Sequence, residues 1–330
     1  MTTVRLLTEP EVRALITVDE ARHAVRDAFV ALHRGQATNT TVLEVRLPHN
    51  GGELHGKGAF IDGSSFLTVK MATGFPTNQE RGLPDSGGLS MLFDSGTGLL
   101  VMILFDNGYL TQLRTGSAGA LAAELLARED ATTVAMVGAG LQARYQLEAL
   151  LAVRDIGRVT VASRSRGRAE AFAKEMSLRH GVHIDVAESA RDAVAGADIV
   201  VTTTPSEQPV VLAGWVRPGT HITAVGSDFP GKQELDLDLL GMADLVVADE
   251  LVPGKRVGEI SHAVAQGVLR PDEVVSLGAV AAGDHPGRRS AGEVTIADLT
   301  GIGAQDAAVA GVVATRAFES GTGQEFDPRI

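Results

Sequence analysis

An apolar strand running straight into the pattern G-x-G-x-x-A constrains this chain more than any other segment: residues 133–143 read TVAMVGAGLQA. Residues 134–137 are apolar throughout, as a strand buried on both faces requires, and residues 142–153 continue at helical spacing. In such a strand–turn–helix unit Gly138 makes the tight turn, Gly140 lets the backbone approach a pyrophosphate, and Ala143 lets the helix pack closely. The helix N-terminus then faces the anion, so Gly138, Gly140, Leu141, Gln142 and Ala143 are candidate dinucleotide-binding residues. A chain with 38 glycines in 330 residues yields so loose a pattern about once by chance, and the surrounding sequence has to decide.

The surroundings agree. Strand-like and helix-like segments alternate after the turn, at 158–162, 166–179, 183–186, 189–195, 198–202, 221–225 and 244–248. That alternation predicts an α/β fold built on a doubly wound parallel sheet. Before the turn the character differs. Thr8 with Glu11 three residues on forms a capping box that opens a first helix, and a second helix covers 19–33. Strand candidates at 42–47, 53–61, 66–72, 89–93 and 99–105, separated by Gly, Pro, Asn and Asp, predict a mainly antiparallel sheet. An alanine-rich helix at 111–128 leads into the strand of the turn, and a helix at 304–319 closes the chain.

Composition removes whole classes of function. The net charge of −12 leaves no global basic field for nucleic acid or an anionic membrane, so any cation a ligand needs must be placed locally. With no cysteine there are no disulfides, thiol nucleophiles or cysteine-bound metals, which suits a cytoplasmic protein. The histidines show no metal-ligand spacing and no G-x-S-x-G elbow occurs, so no metal site is expected and a hydrolase gains no support. Charged residues among the first twenty argue against a secretory signal, and the longest apolar run, 99–105, is too short to span a bilayer.

The end of the second strand of a dinucleotide fold normally carries a carboxylate for the adenosine ribose. Here 162–168 read ASRSRGR. With no carboxylate present, Ser163, Arg164, Ser165 and Arg168 can instead accept a 2′-phosphate, which favours NADP(H) over NAD(H). The alternative is that these arginines merely open a solvated helix. Thr203 and Thr204 follow the strand candidate at 198–202 and Val225 ends the one at 221–225, so all three fall at the expected cofactor crevice.

Three cations precede the nucleotide region: Arg46 in 44–47 (EVRL), Lys70 between Val69 and Met71, and Arg114 after 109–113 (YLTQL). Cations on apolar strands or helix starts are costly unless paired, and they suit an anionic ligand such as a carboxylate. Taken singly, each also reads as a snorkelling or ion-paired residue. Asp228 follows directly on a parallel-strand candidate, where a carboxylate can serve a reacting centre beside a nicotinamide; an aspartate before Pro230 and Gly231 also simply makes a turn.

Four segments together resemble the ornithine cyclodeaminase and mu-crystallin family: 66–76 (FLTVKMATGFP), 109–115 (YLTQLRT), 137–143 (VGAGLQA) and 225–235 (VGSDFPGKQEL). Residues 104–111 (LFDNGYLT) are most similar to the ectoine-utilisation, imine reductase-like branch. The resemblance implies a Rossmann domain over 117–304 and a discontinuous α+β substrate-binding and dimerisation domain from 1–116 and 305–330, in a homodimer. It implies an NAD(P)-dependent oxidoreductase acting on the C–N bond of a small α-amino or α-imino acid. By the same resemblance Arg46, Lys70 and Arg114 hold the substrate carboxylate or face the nicotinamide, Asp228 handles substrate protons with Lys70, and Lys232 lies near the cofactor.

The sequence departs from the family pattern in three places. Asp85 stands where many relatives place a serine or threonine against the nicotinamide, leaving the adjacent Ser86 for that contact. A C-terminal serine–valine pair is replaced by Leu299 and Thr300. Where cyclodeaminases favour an acidic side chain for a distal amine, the chain carries Lys57, which disfavours a diamine and suits a second carboxylate, as in aspartate or iminosuccinate. The resemblance also leaves two alternatives: ornithine cyclodeamination with catalytic NAD⁺, and a non-catalytic NADP-binding protein like mu-crystallin.

Overall fold

The computed structural model describes residues 3–47, 49, 51–251 and 257–328. The chain opens with β1 (Val4–Thr8), α1 (Glu9–Ala14), α2 (Val18–His33), β2 (Ala37–Asn39), β3 (Leu43–Leu47), β4 (Gly52–Ile61), β5 (Phe66–Gly74), β6 (Ser86–Asp94), β7 (Leu100–Phe105) and α3 (Tyr109–Leu126). It continues through β8 (Thr133–Val137), α4 (Leu141–Leu151), β9 (Arg158–Ala162), α5 (Arg166–His180), β10 (Ile184–Val186), α6 (Ala190–Val194), β11 (Ile199–Thr202) and β12 (His221–Ala224). Then come α7 (Leu237–Met242), β13 (Leu245–Ala248), α8 (Glu259–Ala265), β14 (Val275–Ser276), α9 (Leu277–Ala282), β15 (Thr295–Asp298), α10 (Gly303–Ser320) and β16 (Gln324–Phe326). By contacts the chain divides into two compact units, Met1–Arg114 with Ile302–Ile330, and Thr115–Gly301.

In the first unit the strands run in the order β16-β1-β7-β6-β5-β4-β2, with β3 also paired to β4. As expected the sheet is mainly antiparallel, although β1 lies parallel to β7. Alternate residues point to opposite faces of a strand, and the inner face carries Leu92, Met102 and Leu104, all fully buried, together with the polar Thr68, Lys70 and Ser90. Helices α2 and α10 supply Val25, Phe29, Val309 and Val313 to the same core. Each fully buried side chain of this size contributes about 1.5–3 kcal/mol.

The second unit is a parallel sheet in the order β10-β9-β8-β11-β12-β15-β13-β14. Strand β8 shows why its sequence is apolar without alternation. Val134 and Met136 enter the core built with Leu147, Phe172 and Met176 of α4 and α5. Ala135 and Val137 enter the opposite core with Val200, Ile222, Leu239 and Leu240. Strand order reverses between β8 and β11, and the crevice at the carboxyl ends there is where such sheets bind ligands.

Several elements differ from the sequence expectations. Strands β1, β2, β14, β15 and β16 were not anticipated, being two to five residues long and paired at long range. Strand β6 begins at Ser86, ahead of the expected 89, because Gly87 and Gly88 pair with Thr73 and Ala72 despite their poor strand propensity.

At the other end of the parallel sheet the buried carboxylate of Asp198 ties β8 to β11. It accepts hydrogen bonds from Thr132 N and Thr133 N at 3.0 Å each, from Thr133 Oγ1 at 2.7 Å and from Arg128 and Arg217 at 2.5 and 2.7 Å. Burial alone would raise its pKa, but these bonds outweigh burial and hold it at about 2. A carboxyl whose pKa is depressed by folding stabilises the fold above its unfolded value near 4, and that stability is lost as pH falls through about 2. Asp198→Asn is therefore expected to lower stability by about 2 kcal/mol at pH 7, measured by urea unfolding, with the deficit shrinking between about pH 4 and pH 2.

Candidate active site

In the first unit three of the four cations singled out from the sequence gather on one face of the sheet. Lys57 of β4 lies directly opposite Lys70 of β5, and Lys70 opposite Ser90 of β6. Lys70 is 4% exposed and Arg114, in the second turn of α3, 5%. Two charges so deeply buried need a counter-charge. Asp306, in the first turn of α10 and 3% exposed, provides it: Arg114 Nε donates to Asp306 Oδ1 at 2.9 Å, and Lys70 Nζ lies 3.4 Å from Oδ2. Arg114 Nη1 also donates to Gln305 Oε1 at 3.3 Å, and that oxygen accepts the backbone N–H of Ile302 at 3.0 Å, which fixes the start of α10.

These bonds leave capacity unspent. Among the described residues Arg114 Nη2 and Lys70 Nζ make no hydrogen bond, so two donors remain for an anion. Burial pulls the lysine below its ordinary pKa, while Asp306 opposes the pull. Burial would raise Asp306, but Lys70, Arg114 and Lys57 outweigh it and hold the carboxylate ionised. Asp106 caps α3 by accepting the Leu110 N–H at 2.8 Å, and burial pushes its pKa up to about 6.

Arg46 stands apart from this cluster. Its register partner on β4 is Glu53, which puts it on the Lys57 face but four positions along the strand, and its exposed guanidinium pairs with Glu44 at 2.9 Å. Ser86 opens β6 opposite Gly74. Asp306, Gln305 and Asp106 were missed by sequence reasoning. The signal was present for Asp306: it lies on the buried stripe of α10 with Ala310, Val313 and Ala317, where a carboxylate is out of place without a partner.

In the second unit the glycine turn has the geometry its sequence implies. Gly138 adopts φ +115°, and a Cβ there would meet Thr203 Oγ1 at 2.5 Å, so only glycine fits. Above Gly140 a Cβ would meet nothing within 4 Å, and Gly140 caps α4 without a side-chain hydrogen bond. Open space over an uncapped helix N-terminus is what a pyrophosphate fills. Thr203 Oγ1, buried with no hydrogen-bond partner, is a second sign that a polar ligand completes this edge. The residues present therefore fit a dinucleotide. Leu141 and Gln142 form the first turn of α4, and the buried Ala143 lets it sit against the sheet. Arg144, not singled out from the sequence, donates to the carbonyls of Ala139 and Gly140 at 3.0 and 2.9 Å.

At the end of β9 Ser165 caps α5 through the Arg168 N–H at 3.4 Å, Ser163 Oγ accepts from Ser165 N at 3.4 Å, and Arg164 and Arg168 are exposed. Beyond β12 and the buried Val225, Asp228 is exposed on a loop and accepts from Lys232 Nζ at 2.8 Å. The loop is pinned from below, since Ser227 Oγ and His262 Nε2 both bond the Lys232 carbonyl, at 2.6 and 2.9 Å. The fully buried Glu234, also missed, accepts from Thr202 Oγ1 at 2.6 Å, Thr204 N at 2.5 Å and Gly226 N at 2.7 Å, so one carboxylate joins the loops after β11 and β12. Burial raises its pKa and pushes the neighbouring Glu259 up to about 8, with Asp298 adding to the latter shift.

Residues 3–321 match the model of the ornithine cyclodeaminase/mu-crystallin family. An archaeal alanine dehydrogenase dimer with bound NAD is 37% identical, covers 99% of this chain and 100% of its own, and superposes with a TM-score of 0.92. Thermococcus litoralis Δ1-pyrroline-2-carboxylate reductase, in complex with NADH and L-proline, is 31% identical over 97% of this chain and 99% of its own, with a TM-score of 0.92. The iminosuccinate reductase of Paracoccus denitrificans in complex with NAD⁺ is 33% identical over 98% and 99%, with a TM-score of 0.90. By sequence and by fold, the chain belongs to the ornithine cyclodeaminase/mu-crystallin family.

Proposed function

We propose that this protein is an NAD(P)-dependent oxidoreductase that interconverts a small α-amino acid and its α-imino acid. The observation that carries the reading is the buried pair of unspent donors, Lys70 Nζ and Arg114 Nη2, an arrangement that suits a carboxylate. The α-carboxylate binds these two groups and Ser86 contacts the nicotinamide; Arg46, exposed beside Glu44 four strand positions from Lys57, contributes no direct contact to that carboxylate. Orientation of this kind supplies up to roughly 7 kcal/mol or more of barrier lowering. The dinucleotide is held by Gly138, Gly140, Leu141, Gln142, Ala143, Thr203, Thr204, Val225 and Lys232, and when bound it supplies or accepts the hydride at the α-carbon. Asp228 gives a proton to the α-nitrogen as the imine becomes an amine and takes it back in the reverse direction, with the Lys232 ammonium paired to it at 2.8 Å.

Lys57, across from Lys70, puts a further cation beside the carboxylate site. It favours a substrate with a second carboxylate, such as iminosuccinate or aspartate, and repels the distal ammonium of ornithine. The absence of a carboxylate after β9, with Arg164 and Arg168 exposed, supports NADP(H) ahead of NAD(H).

A homodimer is supported by the outer face of the first sheet. There Leu67, Val69, Met71, Leu89, Met91, Phe93, Val101, Ile103 and Phe105 lie together, half-buried or exposed, beside the fully exposed β3. Contiguous apolar patches of this kind are interaction surfaces. No described helix is long and apolar enough to cross a membrane, and we place the enzyme in the cytoplasm.

Absorbance at 340 nm with NADPH, ammonia and pyruvate, oxaloacetate or glyoxylate tests the activity. Reduced cofactor should be consumed with one oxo acid, and Asp228→Asn should lose about 10²–10⁴ in turnover with cofactor affinity kept. Proline and ammonia formed from ornithine without net cofactor turnover would overturn the reading. The kcat/KM for NADPH should exceed that for NADH, and a clear preference for NADH refutes the assignment of Arg164 and Arg168. Light scattering should give twice the chain mass, and the pair Leu67→Asp and Phe105→Asp should yield a folded monomer; an unchanged mass would move the interface elsewhere.

A further inference from the structure

The cation cluster contains one ionised group that no ligand can reach. Asp306 is 3% exposed, its Oδ1 is taken by Arg114 Nε, and its Oδ2 is fully enclosed, with Lys70 Nζ at 3.4 Å and no hydrogen bond. The charged groups around Lys70 come from every element packed there: Lys57 on β4, Asp106 ahead of α3, Arg114 on α3 and Asp306 on α10, while Ser90 on β6 is neutral. Without Asp306, Lys70 would share a nearly dry space with two cations and only Asp106 to offset them. Desolvation and repulsion would both then favour its neutral amine, which cannot hold a carboxylate by charge.

We propose that Asp306 is the positioning residue of the carboxylate site: it keeps the buried Lys70 in its ammonium form and, by fixing Arg114 through Nε, turns Lys70 Nζ and Arg114 Nη2 toward the ligand. The assignment rests on the reading of this cluster as the carboxylate site and adds the group that makes the site cationic. It also gives the enclosed Oδ2 a reason. At 3.4 Å the pair is held mainly by charge, so the lysine's remaining N–H groups stay open to the substrate.

Two measurements test this. The chain has five lysines, at 57, 70, 174, 232 and 255, so protein labelled with [ε-¹³C]lysine gives five signals by NMR, and Lys70→Met assigns one of them. At pH 7.5 the Lys70 signal should sit at the ammonium position in the wild type and move to the amine position in Asp306→Asn. A neutral Lys70 in the wild type, or an ammonium in the variant, overturns the proposal. In kinetics with the most active oxo acid and ammonia, Asp306→Asn should raise the KM for the oxo acid about tenfold or more and leave the KM for the reduced cofactor unchanged. Its alkaline limb of kcat/KM should move at least about one pH unit toward acid, since an opposite charge at this distance shifts a pKa by roughly one to three units. Asp306→Glu, which keeps the charge, should restore the position of that limb. A wild-type profile in Asp306→Asn, or equal damage in both variants, would leave only a structural role and refute the assignment. Should Asp306→Asn not fold, Asp306→Ser, also uncharged, takes its place in both measurements, and a neutral Lys70 in the wild type overturns the proposal without any variant. The NMR readout needs no turnover, so an inactive protein with a charged Lys70 sinks the proposed reaction and leaves the charge assignment standing.

Discussion

Burying a cation is costly unless a counter-charge goes with it, and the ion pairs that join Asp306 to Lys70 and Arg114 meet that condition in the first unit. The rest of the cluster's geometry follows from the pairing. Because Asp306 takes only Arg114 Nε, the guanidinium keeps an open nitrogen; because it meets Lys70 only at 3.4 Å, the ammonium keeps donors for a ligand. The same carboxylate reaches residues far apart in sequence, from β5, α3 and α10. A chain that closes with α10 against the inner face of its first sheet therefore carries, in its last long helix, the group on which two earlier cations depend.

Buried carboxylates organise the second unit as well, where their partners are mostly backbone N–H groups and hydroxyls. Asp198 fastens the starts of β8 and β11, and two arginines neutralise it. Glu234 fastens the loops that leave β11 and β12, and no cation bonds it among the described residues. The difference shows in their titration: Asp198 is held at about 2, whereas burial wins at Glu234 and moves it upward. Glu234 lies under the stretch from Gly226 to Lys232, so the loop bearing Asp228 rests on a rigid base and Asp228 itself stays exposed.

The parts of the fold that were legible are those with local causes. The apolar run at β8 announced burial on both faces, Gly138 announced a backbone that no other residue adopts, and Thr8 with Glu11 announced a helix start that the structure realises with a bond of 2.8 Å from Thr8 N. Strands β1 and β15 were missed for the opposite reason. They are five and four residues long and their strand character comes from partners distant in sequence: β7 and β16 for β1, β12 and β13 for β15. So few residues, lying outside the run of alternating strands and helices at 158–248, leave periodicity too little to work on. Arg46, Lys70 and Arg114 looked alike as sequence features, yet the structure buries two and leaves one exposed beside Glu44, because β3 lies alongside only the first half of β4.

The sequence by itself determined the α/β class, the dinucleotide turn and the family, because each is written in residues close together or in a fixed order of motifs. Only the tertiary structure decided which cations are buried, that Asp306 pairs with both, and which of their nitrogens stay unspent. Charge pairing in a low-dielectric interior depends on distances of a few ångströms between groups nearly two hundred residues apart, and no local pattern encodes those distances.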